Sequence, residues 1–250
     1  MVSVTVITAT TGNPLLADCI ESVRKQTHQN LHHLLMIDGY ERWEDKTKDL
    51  LYDLQFPRSN LNEHVCILPY PIGKDRWNAH RIYPAATYML ETDYVMYLDE
   101  DNVLEPDHVE SLVKLVEKNN LQWAYSLRKI IDKDGSYLCH DDCESLGKWA
   151  SVLSPQDFFI DVNCYFVRRD VAVAITPAWY RKFREPGQPE VDRVLSHVLR
   201  NNFTQYDCTR NYSLLYRVGN TQHSVQKEFF ERGNAEMLRR YNGNLPWKSA

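Results

Sequence analysis

The chain of 250 residues lacks any apolar run long enough to cross a bilayer. Its longest uncharged, apolar-rich stretch, Val171 to Tyr180, is about half of the ~20 residues a spanning helix needs, and Pro177 interrupts it. No transmembrane segment is expected. The first residues, Met1-Val2-Ser3-Val4-Thr5-Val6-Ile7-Thr8, carry no basic leader or cleavage-like region, so they do not read as a signal peptide. A basic excess is also missing, because 29 Lys and Arg against 34 Asp and Glu give a net charge of −5. Binding a nucleic-acid backbone needs a basic footprint, so no nucleic-acid partner is expected. Cysteine is sparse: the six thiols are scattered, several inside apolar segments, and read as reduced and buried in an intracellular, cytoplasmic protein. Cys139-His140-Asp141-Asp142-Cys143 has no second liganding pair at zinc spacing. Finally, no G-x-G-x-x-G follows the first apolar run, which argues against a dinucleotide-dependent dehydrogenase.

With 43% hydrophobic and 25% charged residues the chain has ample material for a sizeable core. No repeat, low-complexity tract or long linker divides it, so one domain, 1–250, is expected. Its first half alternates strand and helix patterns. Val2 to Thr8 is a β-branched run suited to a buried strand, and Pro14 is placed to open a helix carrying Leu15, Leu16, Cys19, Ile20 and Val23 at helical spacing. Strands follow at Leu34 to Ile37, Val65 to Leu68 and Tyr94 to Leu98. Helices are expected around Leu50 to Leu54, over Asn78 to Leu90 with Ile82, Ala85, Ala86 and Met89 inward, and after Pro106. Pro84 sits where it would disturb the middle of the second of these. This alternation predicts a mostly parallel sheet with helices on both faces.

The second half is more mixed. Trp123 to Ile131 and Tyr137 to Cys139 flank a Lys133-Asp134-Gly135 turn and read as a hairpin. Asn163 to Val167 is a strand, and Val191, Val194, Leu195, Val198 and Leu199 mark a helix. From Gly219 onward the sequence is polar and reads as a tail over the site or as a partly mobile segment.

Ligands of an open α/β sheet bind beyond the carboxyl ends of its parallel strands. Three such ends are polar here: Thr8 to Asn13, Asp38, and Asp99 with Asp101. Two carboxylates as close as Asp99 and Asp101 repel unless a cation or hydrogen-bond donors neutralise them. Mg²⁺ or Mn²⁺ takes oxygen ligands and bridges carboxylates to phosphates, which would let an acidic protein hold a diphosphate without a basic patch.

At these residues the sequence resembles the family 2 glycosyltransferases with the GT-A fold. Val2 to Thr8 looks like their first strand, and Ser22-Val23-Arg24-Lys25-Gln26-Thr27 matches their Ser-x-x-x-Gln-Thr segment. Leu35-Met36-Ile37-Asp38-Gly39 resembles the nucleotide-side strand end. Tyr97-Leu98-Asp99-Glu100-Asp101-Asn102 resembles the metal-binding D-x-D motif. The match covers roughly the first 120 residues. Two departures stand out: Gly39 occupies the place of a second acidic residue, and Trp77-Asn78-Ala79-His80-Arg81 replaces a common Ala-Arg-Asn segment.

The resemblance implies an α/β GT-A (Rossmann-like) three-layer sandwich with a smaller mixed sheet on the acceptor side. Residues 1–120 would bind the nucleotide sugar, 121–218 the acceptor, and 219–250 would lie over the site. It implies an inverting transfer, dependent on Mn²⁺ or Mg²⁺, from a UDP- or GDP-sugar to a hydroxyl acceptor such as a growing glycan. Thr8, Ala9, Thr10, Thr11 and Asp38 would hold the nucleoside. Asp99 would lie against the ribose or metal, Asp101 would ligate the metal, and His223 would complete its coordination. Arg81 would face the diphosphate. The base that takes the acceptor proton would be Asp192, with Glu190 second, although acids in a helix's first turn also serve its dipole. Trp77, Trp149, Trp179 and Tyr180 could offer flat faces to a sugar ring. Two alternatives stay open. A sugar-nucleotide nucleotidyltransferase is disfavoured because Thr8 to Pro14 has one glycine and no Lys or Arg to cradle a triphosphate. A non-catalytic nucleotide- or sugar-binding module is disfavoured by the joint presence of metal and base candidates.

Overall fold

The computed structural model describes residues 1–58, 62–75, 77–180, 191–220 and 225–248. Its strands are β1 (Val4–Thr10), β2 (Leu31–Ile37), β3 (Asn62–Ile67), β4 (Tyr94–Tyr97), β5 (Val103–Leu104), β6 (Trp123–Ile131), β7 (Tyr137–His140), β8 (Tyr165–Arg168) and β9 (Tyr206–Arg217). Between them lie α1 (Leu16–Arg24), α2 (Tyr40–Arg42), α3 (Lys48–Asp53), α4 (Ile82–Tyr88), α5 (His108–Asn119), α6 (Arg169–Ala174), α7 (Thr176–Trp179), α8 (Val191–Asn202) and α9 (Lys227–Arg240). A π-turn, Trp43–Thr47, joins α2 to α3.

The strands form one sheet in the order β3-β2-β1-β4-β8-β6-β9-β5, with β7 added beside β6. β3, β2, β1 and β4 run parallel, as the strand–helix alternation requires. Side-chain alternation on β2 shows that both faces are covered. Leu35 and Ile37 pack with Leu16, Ile20 and Leu51, whereas Leu34 and Met36 join the larger core with Ile82 and Ala86. Helix α5 follows its sequence stripe, burying Val109, Leu112, Val113 and Val116.

Two expectations are corrected, and one strand has no sequence signal. The acceptor-side strands do not make a separate smaller sheet. β8 pairs antiparallel with β4, at Tyr94 with Arg168 and Met96 with Phe166, so the first sheet simply continues into β6 and β9. The helix over Asn78 to Leu90 is broken into a 3₁₀ turn, Asn78–Arg81, followed by α4, which places Pro84 in a first turn where its missing N–H costs nothing. That shift rotates the buried stripe to Ile82, Tyr83, Ala86 and Thr87, and leaves Ala85 and Met89 exposed. Lastly, β9 was not legible. Its pairing with β6 slips between Tyr125 and Leu127, where Arg210 adopts a left-handed φ of 60°, and this irregularity breaks the period of two.

Beyond β6 the core contains a buried charge cluster. Arg128, 1% exposed, donates from Nε to Asp141 (2.7 Å), from Nη1 to Asp161 (2.6 Å) and from Nη2 to Glu144 (2.7 Å). Its guanidinium lies 4.2 Å from the centroid of the Tyr216 ring. Cys143 packs at Gly233 of α9, and Asp142 accepts from Trp247 and Lys248, so the Cys139–Cys143 segment serves packing of the carboxyl-terminal residues. Removing one partner of such a cluster strands the others as buried charges. Arg128→Leu is therefore expected to lower unfolding free energy by about 3–5 kcal/mol in urea titrations; a loss below about 1 kcal/mol would show that the cluster is not a structural keystone.

Candidate active site

The ends of β1, β2 and β4 converge on a cleft of ≈ 460 Å³ whose lining includes Ala9, Thr10, Thr11, Asp38, Asp99 and Asp101. Sequence and structure thus bring six of the expected donor-side residues together. Thr8 is not among them. It lies one turn of the pleat deeper in β1, fully buried, with its hydroxyl 3.0 Å from His33 Nε2 and 3.7 Å from Cys19 Sγ.

Each carboxylate of the Asp99-Glu100-Asp101 turn is held differently. Glu100, passed over in the sequence as the middle of the motif, organises the β1 loop: Oε2 accepts from Thr10 Oγ1 (2.5 Å), Thr11 N (3.1 Å) and Asn13 N (3.1 Å), and Oε1 from Thr11 Oγ1 (2.9 Å). Asp99 accepts from Tyr83 Oη at Oδ1 (2.7 Å) and from Asn163 Nδ2 at Oδ2 (2.9 Å), while its own N–H donates to Asn163 Oδ1 (2.6 Å). Asp101 accepts from Asn220 Nδ2 (2.9 Å). Beneath the turn, Arg217 donates to the Asp101 carbonyl and to Asn102 Oδ1.

Among the described residues no Lys or Arg side chain forms an ion pair with the carboxylate of Asp99 or Asp101. Burial, followed by the neighbouring Asp101 charge, pushes Asp99 up to about 6; burial likewise raises Asp101. Beside Asp101, Asn220 Oδ1 is buried without a partner among the described residues. These donors are all oxygen, the set that suits a hard divalent cation, so the residues present fit Mg²⁺ or Mn²⁺. No group of three or more His, Cys, Asp or Glu arranged for a metal occurs among the described residues, and His223 lies outside them.

On the other wall, Asp38 is consumed locally. Oδ1 accepts from Ile72 N (2.7 Å) and Gly73 N (3.2 Å), and Oδ2 from Arg42 Nη1 (2.9 Å). Gly73 is required there, since a Cβ would stand 2.8 Å from Asp38 Oδ2 and 2.6 Å from the Asn78 carbonyl. Arg42, which also lines the cleft, was missed, although its i,i+4 spacing from Asp38 was available. Arg81 does not line the cleft. Its guanidinium lies 3.8 Å from the Trp77 ring centroid and 5.6 Å from that of Tyr180, and Nη1 reaches the Ile72 carbonyl. Arg81, expected to face a diphosphate, is thus stacked on aromatic rings beside the cleft.

Asp192 sits in the first turn of α8, 3.7 Å from His80 Nε2. Burial lowers His80 to about 4, so at neutral pH this is an uncharged imidazole beside a carboxylate. His80 leads to Trp179, which packs edge-on against Tyr83 and Tyr97, and Tyr83 returns to Asp99. Glu190 lies outside the described residues. Of the other aromatics, Tyr180 is 63% exposed, whereas Trp149 packs against Trp247 at 5.7 Å, among the carboxyl-terminal residues.

The model of the family described as "Glycosyl transferase family 2" matches residues 3–171. The chain belongs to that family. It is a nucleotide-sugar-dependent glycosyltransferase, and the matched span contains the whole cleft described above. No curated protein sequence matches the chain. Among solved structures, this glycosyltransferase is similar to S. aureus TarS 1-349, with a TM-score of 0.62 and 14% identity over 96% of this chain and 71% of that one. The same TarS fragment in complex with UDP-GlcNAc gives a TM-score of 0.61 and 14% identity, over 96% and 72%. Longer TarS is covered to 43% of its length, with a TM-score of 0.63 and 13% identity. At these identities the likeness establishes a shared fold.

The Asp99 carboxyl carries a stability consequence. Folded, it retains a proton up to about pH 6, whereas the unfolded chain releases it near pH 4, so stability falls as pH rises through that window. Asp99→Asn removes a penalty on the order of 3 kcal/mol. The metal-free variant should exceed wild type in urea melts at pH 8 and match it near pH 4; equal stability at pH 8 would refute the assigned burial.

Proposed function

We propose that this glycosyltransferase transfers a sugar from a UDP- or GDP-sugar to a hydroxyl acceptor on a glycan, with inversion and with Mn²⁺ or Mg²⁺. The observation that carries the reading is the pair Asp99 and Asp101, without an ion-pair partner among the described residues, at the junction of three strand ends in one cleft. The solved TarS complexes with UDP and UDP-GlcNAc support a uridine nucleotide as the first to test. Asp101, Asp99 and the orphaned Asn220 Oδ1 would hold the cation, which when bound supplies positive charge to the departing diphosphate.

The chain's own residues then divide the remaining work. Glu100 fixes the β1 loop through Thr10, Thr11 and Asn13, so that Ala9 to Thr11, which line the cleft, would hold the nucleoside. Asp38 holds the Ile72–Gly73 backbone, so Arg42 is the charged group it presents to the cleft. Asp192 takes the acceptor hydroxyl's proton at its carboxylate. The acceptor oxygen forms a bond to the anomeric carbon as the bond from that carbon to the diphosphate breaks on the opposite face. Neutral His80 beside Asp192 adds no positive charge that would hold the proton off that carboxylate.

Titration calorimetry with UDP and GDP, with and without Mn²⁺, should show metal-dependent binding of one nucleotide; no such binding of either overturns the donor half. Asp192→Asn should cut transfer at least a hundredfold while leaving donor affinity within twofold. Surviving turnover would remove Asp192 from the base role.

A further inference from the structure

The segment from Ile160 to Tyr165 touches both halves of the chemistry. Within it, Asn163 grips Asp99 twice, through Oδ1 on the Asp99 N–H and through Nδ2 on Oδ2. Nδ2 also donates to Asp161 Oδ1 (2.8 Å), which accepts from Asn163 N as well (2.9 Å). Asp161 Oδ2 is in turn anchored by Arg128. The first and last residues of the segment both meet Ser196 of α8, which is buried at 3% exposure: its Oγ accepts from Ile160 N (3.0 Å) and lies 2.7 Å from Tyr165 Oη. The same hydroxyl is 3.0 Å from the Asp192 carbonyl and 3.2 Å from that of Ile160, so its proton is shared between the residue carrying the candidate base and this segment. The segment is thus bonded to Asp99 through Asn163 and to α8 through Ser196, while Arg128 and Ser145 hold Asp161 between them, and these buried contacts allow little play in either direction.

We propose that residues 160–165 act as a strut that sets the position of Asp99 relative to Asp192, with Asn163 and Ser196 as its positioning residues. Neither touches substrate on this reading; Asn163 acts through Asp99 and Ser196 through α8. The inference rests on the roles proposed above for Asp99 and Asp192. Its physical content is that the leaving-group side and the base side share one rigid support. In-line displacement demands that these two sides stay aligned, and misplacement of about 1 Å costs on the order of a hundredfold in rate.

The test uses the full chain with Mn²⁺, UDP and the donor sugar that wild type turns over. Asn163→Ala should weaken Mn²⁺-dependent UDP binding about tenfold, the loss expected when a charged acceptor forfeits one of its donors. Ser196→Ala should leave that affinity within twofold, lower kcat for transfer about tenfold, and raise the share of donor lost to water, because the donor remains bound while the acceptor's base is displaced. Asn163→Ser and Ser196→Thr, which retain a polar group, keep the test alive if either alanine variant does not fold, and each should recover part of the loss. The double variant should lose no more kcat than the worse single, since a strut released at either attachment transmits nothing to the other. Losses that multiply would mean two independent supports and overturn the strut, as would variants that melt earlier but keep wild-type affinity and wild-type partition between water and acceptor. If wild type shows no metal-dependent UDP binding, or Asp192→Asn still transfers, the failure lies in the underlying roles and not in the strut.

Discussion

Three successive carboxylates at the end of a buried apolar strand repel one another, and the architecture around β4 is arranged to hold them there. Glu100 is turned toward the β1 loop and satisfied by two backbone N–H groups and two hydroxyls. Asp99 and Asp101 receive only neutral donors: a phenol, two carboxamides and no cationic side chain among the described residues. Neutral hydrogen bonds orient a carboxylate without cancelling its charge, which is why burial still raises both groups. The folded protein therefore carries a fixed negative corner at the head of its cleft. A group meant only for stability would be neutralised by Lys or Arg, as Glu63 is by Arg24 elsewhere in the same molecule.

That corner depends on the second half of the chain as much as on the first. β8 runs antiparallel beside β4, so the residues entering β8 lie against those leaving β4, and Asn163 meets Asp99 for this topological reason. A detached acceptor-side sheet could not supply the contact. The Arg128 cluster lies directly behind it. One guanidinium among three carboxylates is poorly justified as a source of stability, since packed apolar residues would do as well. Its value is directional: each carboxylate accepts along a fixed axis, and Asp161 transmits that orientation to Asn163 and on to Asp99.

What could be read from the residues alone follows a simple division. β1, α1, β2, β4 and α5 are encoded by local periodicity and by prolines at their starts, and the structure places them within two or three residues of expectation. The convergence of Ala9, Thr10, Thr11, Asp38, Asp99 and Asp101 was legible because strand ends in a parallel sheet share a rim. The partners of those residues were not legible. Asn163 and Asn220 reach Asp99 and Asp101 across 64 and 119 residues, and a lone asparagine has no spacing signal to announce such a reach. Arg81 was singled out because it is the basic residue of the segment that replaces the family's Ala-Arg-Asn. Its guanidinium instead finds aromatic faces at closer range, which sequence order does not reveal.

The departure at Gly39 has a steric origin that follows from the same crowding. Its φ of +113° lies where side chains are strained, and a Cβ there would stand 2.9 Å from the Pro71 ring. A second acidic residue at this place would have to push the loop of Pro71, Ile72 and Gly73 outward. That loop is held in place by Asp38 itself, through the Ile72 and Gly73 N–H groups. Loop and carboxylate thus fix each other, and the glycine is what lets them approach. With Asp38 spent on the backbone, its remaining contact orients Arg42, so the negative charge of the β2 end is balanced by a directed guanidinium that lines the cleft. The β4 end keeps its negative charge and the β2 end does not, and this asymmetry gives the cleft one acidic corner and one corner closed by an ion pair.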